Sequence, residues 1–154
     1  IKRVGLAKST QLRALIELSK RLFVSRKNNK IHIKSPQDVF NLMMPRLRYL
    51  SQEVFCIILL DAKSQLISAP EITRGGLTSS IVHPREVFKE AIRRSSAAII
   101  LVHNHPSGIP EPSPKDIEIT KRLCEAGELI GIEVLDHIVI GEGVFASLKT
   151  KQII

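Results

Sequence analysis

The chain has 154 residues, 44% of them hydrophobic, which supports one domain with a hydrophobic core and a small appendage. No stretch reaches the roughly 18 apolar residues of a membrane span, and the opening "IKRVGLAKSTQLRAL" lacks the continuous apolar centre of a signal peptide. The formal net charge of +8 is concentrated at one end: residues 1–50 carry 12 Lys/Arg against Glu17 and Asp38, while the remainder holds 11 basic and 13 acidic residues.

Starting at Ile1, the chain reads as a piece of a longer protein. Its basic first third is either a solvated surface or an arm that meets polyanions. "STQLRALIELSKRLF" (9–23) has Leu15, Leu18 and Leu22 at three-to-four spacing and predicts a helix. A polar linker follows over 25–34, ending in the alternating "IHIK", where His32 should be exposed. Ser35-Pro36 predicts an N-cap and first helical position. "VFCIILLD", from residue 54, is a strand too continuously apolar to have a wet face, with "SQLISAPEI" as its neighbour across a turn.

"HPREVFKEAIRRS" predicts an amphipathic helix entered at His83, with Val87, Phe88, Ala91 and Ile92 inward. "AAIILV" is a second buried strand. A helix over "SPKDIEITKRLCEAGELIG" follows, its stripe Ile119, Leu123, Ala126 and Ile130, stopped by Gly131. "IEVLDHIVIGEG" and "VFASLK" are late strands. Alternation of strands and helices predicts a mixed α/β domain with helices packed on a sheet. Cys56 and Cys124 lie in an apolar run and a helix-like run without a CxxC pair, so they read as buried thiols in a reducing, cytoplasmic setting.

The chemistry concentrates in "HNHPSGIPEPSPKD". His103 and His105, two apart where a strand runs out, project to the same side and can share a metal. Asp116 is the natural third ligand, since its helix must turn back to pack on the sheet. Pro106, Pro110, Pro112 and Pro114 restrict the loop between. His, His and Asp leave one tetrahedral position for water, the pattern of a catalytic zinc. Ser113 and Asp116 equally fit an S-x-x-D capping box with Pro114 at the first helical position, a purely structural reading compatible with the metal. His137 in "LDHIVIG" reads as a satisfied core histidine, or as a partner standing behind a ligand. The literal tripeptide His103-Asn104-His105 is no sign of an HNH nuclease, whose letters are spread over a ββα element.

"HNHPSGIPEPSPKD" matches the H-x-H-P-x6-S-x2-D signature of the JAMM (MPN-plus) metalloprotease superfamily. "LVHNHPSG", with "SSIVHPREVF" before it and "AGELIGIEVLDHIVIG" after, resembles the bacterial RadC branch. The resemblance implies a JAMM/MPN-like, cytidine-deaminase-like mixed sheet flanked by helices over 35–154. It implies one zinc ion held by His103, His105 and Asp116, with Ser113 stabilising an oxyanion. A glutamate near the domain start would be the general base: Glu53, just ahead of the first long strand, or its rival Glu71. The small residue usual shortly after that glutamate is not evident.

"VGLAKSTQLRALIEL" resembles the end of a helix-hairpin-helix module over 1–24, with Gly5 and Lys8 at its DNA-phosphate-binding positions. Ala7 stands where a second hairpin glycine is usual. The activity implied is a zinc-dependent hydrolase of the metallopeptidase or isopeptidase type acting on a protein or peptide. The alternatives are a DNA-associated accessory module, with nucleic acid met through the basic N-terminal region, and a pseudoenzyme using the fold as an interaction surface. Pseudoenzymes usually lack a metal ligand, and here all three are in place. No membrane role is expected.

Overall fold

The computed structural model describes residues 5–27, 31–75 and 82–154. It divides into two compact units, Ile1–Ile31 and His32–Ile154. The smaller unit holds helix α1 (Leu6–Lys27), which runs four residues past the expected end at 23. Leu12, Leu15, Ile16 and Leu18 on it are exposed, and Leu22 lies outside the described side chains. Among the described residues no helix is long and apolar enough to cross a membrane.

The larger unit is a six-stranded mixed sheet flanked by three helices. Ser35 caps α2 (Pro36–Leu47) in a capping box with Asp38, as the Ser-Pro pair implies. Exposed His32 forms an isolated bridge with Gln65, and neighbouring Ile33 is buried. Strand β1 (Val54–Leu60) is buried at every position and antiparallel to β4 (Ala98–Asn104), which runs parallel to β5 (Glu133–Ile140). The short β6 (Phe145–Ser147) pairs antiparallel to β5.

β1 is buried throughout because both faces are covered. Phe55, Ile57 and Leu59 face α3 (Pro84–Arg93) and α4 (Pro114–Ile130), through Val87, Phe88, Ala91, Ile119 and Leu123. Val54, Cys56, Ile58 and Leu60 face the other way, onto Val39, Met43 and Leu47 of α2. Cys56 is buried and Cys124 half-buried, both as free thiols.

Three expectations change. The expected single strand "SQLISAPEI" is two, β2 (Leu66–Ser68) and β3 (Glu71–Arg74), both paired with β1. Pro70 interrupts the ladder because it has no N–H to give, although its carbonyl still accepts from Ile57. Ile92 is 59% exposed rather than inward: at about 100° per residue it stands beyond the arc spanned by Val87, Phe88 and Ala91. Ile130, the last residue of α4, is also exposed, and Ile132 takes the buried place after the turn.

Candidate metal centre

β4 alternates Ile99 and Leu101 onto the face covered by α3 and α4, so period two delivers His103 to that face, fully buried. His105 follows the end of the strand. Its main-chain N–H donates to the Ile140 carbonyl, and its own carbonyl accepts from Gly108. Gly108 closes this turn at φ +80°, a backbone region that favours glycine. The loop then returns to α4, where Ser113 is the N-cap and Pro114 opens the helix.

Asp116, 2% exposed in the first turn of α4, faces both histidines. Its Oδ1 lies 3.5 Å from His103 Nε2 and its Oδ2 3.5 Å from His105 Nε2. The two Nε2 atoms are 3.0 Å apart. His103, His105 and Asp116 can each present one ligand atom with all three within 4.8 Å of one another. The structure therefore brings together the three residues singled out by spacing.

The chemistry of the donor set fits a cation. His105 Nδ1 is 2.8 Å from the Ile109 carbonyl, which can only accept, so Nδ1 carries the ring proton and the neutral ring has a bare Nε2. That lone pair and an acceptor-only carboxylate converge on His103 Nε2. Two imidazole nitrogens and one carboxylate oxygen match the ligand preferences of zinc.

Electrostatics favour the ligating form of Asp116 and of His103 but not of His105. Burial pushes the Asp116 carboxyl up, but the adjoining His103 and His105 and the Ser113 hydroxyl outweigh it and hold the carboxyl well below its usual range. Burial pushes His103 down toward the neutral, ligating form. The Asp116 contact raises half-buried His105.

Ser113 completes a capping box. Its N–H and hydroxyl donate to Asp116 Oδ2 at 2.6 and 2.7 Å, and its Oγ accepts from the Asp116 N–H at 3.2 Å. The capping box thus leaves Asp116 facing both histidines, so the structural reading does not compete with the metal one. In this structure the hydroxyl proton of Ser113 points to the carboxylate.

A family model described as a RadC-like JAB domain matches residues 33–153. The chain belongs to the RadC family. Curated relatives in this RadC family include a UPF0758 protein of Alkaliphilus metalliredigens, 59% identical over 152 residues, covering 99% of this chain and 66% of that protein. A UPF0758 protein of Alkaliphilus oremlandii is 56% identical over 154 residues, with 100% and 66% covered. One from Bacillus cereus is 55% identical over 148 residues, with 96% and 66% covered. The chain thus spans just under two thirds of the length of these relatives.

The two glutamates suggested by the RadC resemblance occupy different settings. Glu53, half-buried one residue before β1, is close enough for its charge to act on both His103 and His105. Glu71, on β3, is exposed and held by Arg74 at 2.8 Å. In the smaller unit, Gly5 precedes α1 with its carbonyl accepting from Ser9, and Lys8 is exposed in the first turn. His83 caps α3 through its ring, as expected of a helix entrance.

Three neighbours of the centre carried weak sequence signals. Asn104, between the histidines, accepts from the Val54 N–H at 2.8 Å and donates to the Gln52 carbonyl at 3.1 Å, bracketing Glu53. His137 is the buried, satisfied core histidine expected, and its Nε2 lies 2.8 Å from His103 Nδ1. Thr120, whose only signal is its position four residues after Asp116, lies 2.6 Å from His137 Nδ1. Beside His105 a 240 Å³ cleft is lined by Tyr49, Ser51, Asn104, Pro106 and Glu142.

Proposed function

We propose that this chain is a zinc-dependent hydrolase of the metallopeptidase or isopeptidase type, cleaving an amide bond of a protein or peptide. The observation that supports it most is the convergence of His103, His105 and Asp116 within 4.8 Å. These three would hold one zinc ion, which when bound supplies Lewis acidity and activates water near neutral pH.

The chain's own residues supply the rest. Glu53 takes the proton from the attacking water and passes it to the leaving amine, a role favoured by its lying within electrostatic reach of both imidazoles. Glu71 is engaged by Arg74 and is the weaker candidate. Ser113 orients the Asp116 carboxylate as it stands, and by turning its hydroxyl it stabilises the developing oxyanion. The cleft beside His105 receives the segment that carries the scissile carbonyl. Asn104 holds the backbone on either side of Glu53.

The test starts with zinc per chain in protein purified without chelator, alongside Asp116→Ala. The expected result is about one zinc, lost in the variant. A panel of peptide and isopeptide substrates follows, with Glu53→Gln expected to retain zinc and lose turnover while Glu71→Gln keeps both. A parent that takes up no added zinc overturns this reading and returns Ser113 and Asp116 to capping alone.

We also propose that the basic N-terminal unit contacts nucleic-acid phosphates, supported by the exposure of Lys8 and Arg13 on α1. Binding to nonspecific duplex should weaken steeply with salt and vanish without residues 1–34. Equal binding by both proteins would sink it.

A further inference from the structure

We propose that Thr120 and His137 are positioning residues that fix the tautomer of His103, through a one-way chain of hydrogen bonds ending on the Asp116 main-chain carbonyl. The proposal rests on the zinc reading of the centre and adds how one ligand nitrogen is kept free of its proton.

The direction follows from counting protons. Thr120 Oγ1 has one hydrogen and two close partners, the Asp116 carbonyl oxygen and His137 Nδ1. The carbonyl can only accept. Had the hydroxyl turned to His137, two oxygen lone pairs would face each other at close contact in a site closed to water, since Thr120 is fully buried. Thr120 therefore donates to the carbonyl, and its oxygen must accept from His137. That places the His137 proton on Nδ1 and leaves His137 Nε2 as an acceptor.

His137 Nε2 in turn faces His103 Nδ1 at 2.8 Å, so His103 donates there and carries its proton on Nδ1. The lone pair of His103 is left on Nε2, the atom that faces His105 and Asp116. His103 and His137 are both fully buried, so no solvent competes for these positions. The Phe55 ring stacks on His103 at 6.4 Å and meets His137 edge-on at 5.7 Å, closing the apolar side.

His105 reaches the same state through the Ile109 carbonyl. Each imidazole is thus oriented from a main-chain carbonyl, directly for His105 and through two side chains for His103. Asp116 stands at both ends of the longer chain, its carbonyl as terminal acceptor and its carboxylate beside the freed nitrogen. A shift of the first turn of α4 would disturb ligand and tautomer together.

The variants are Thr120→Val, which keeps shape and deletes the hydroxyl, and Thr120→Ser, which restores it. Zinc affinity is read by chelator competition. Tautomers are read from imidazole nitrogen shifts of the metal-free protein at about pH 8, above the ordinary imidazole range. We expect His137 protonated on Nδ1 in the parent, zinc affinity about 10- to 100-fold weaker in Thr120→Val, and recovery in Thr120→Ser. Equal zinc affinity in parent and Thr120→Val overturns the positioning role while the metal centre stands. A parent that binds no zinc overturns the metal reading instead, and the His137 tautomer still decides the chain: Nδ1–H upholds the direction, Nε2–H overturns it.

Discussion

Asp116 Oδ2 accepts both the N–H and the hydroxyl of Ser113, at 2.6 and 2.7 Å, while Asp116 Oδ1 stands 3.5 Å from His103 Nε2. One carboxylate therefore starts a helix and faces both histidines of the candidate metal centre. Ser113→Ala should lower stability by about 1 kcal/mol, the usual cost of a lost cap, and weaken zinc binding without abolishing it. Asp116→Ala should abolish it. Urea denaturation and zinc titration of both variants separate the two effects, and full zinc affinity in Asp116→Ala would contradict the assignment.

Asn104 ties the end of β4 to the chain on either side of Glu53. Asn104→Ala leaves the buried Val54 N–H without that partner, which should cost about 1–3 kcal/mol. Zinc content should be unchanged, because Asn104 is not among the three residues that could hold the ion. Any hydrolytic turnover found should fall more than zinc occupancy. Chemical denaturation with metal analysis checks the first two points.

Two glycines distinguish general packing from support of the centre. A β-carbon on Gly127 would stand 2.5 Å from the Ile132 carbonyl oxygen and 3.3 Å from the Phe88 ring. One on Gly141 would overlap the Gly108 carbonyl and approach Pro110 Cδ at 3.0 Å, pressing on the loop whose Ile109 carbonyl orients His105. Both Ala variants should lose about 1–3 kcal/mol, the usual range for overpacking. Only Gly141→Ala should also weaken zinc binding, as judged by calorimetric titration beside a thermal melt.

Burial pushes the Cys56 thiol up from 9.0 to about 11. Below pH 9 both folded and unfolded chains keep the thiol protonated, so this contribution to stability is fully present there. As pH rises, the unfolded chain ionises first, and the contribution is lost toward and through about 11. Stability should therefore fall more steeply between about pH 9 and about pH 11 in the parent than in Cys56→Ala. Parallel slopes in urea denaturation would show that the thiol is not burdened by burial.

Much of the sheet was legible because its strands are buried on both faces: the apolar runs at 54–60 and 98–102 exceed what a half-wet strand tolerates. The caps at Ser35, His83 and Ser113 were legible because Pro at the first helical position follows each. Pro70 splits a run read as one strand, a consequence visible only once the ladder partner is known. Ile92 is exposed because the apolar stripe of the sequence is wider than the arc α3 buries.

The sequence by itself determined the candidate ligand types and their spacing, since period two sets His103 and His105 on one side and the S-x-x-D cap puts Asp116 in the first helical turn. Only the tertiary structure decided which nitrogen of each imidazole faces Asp116, and that His137 and Thr120 stand behind His103. Those contacts join residues 17 and 34 positions apart. Local periodicity carries no information at such separations; the packing of α4 across β4 and β5 does.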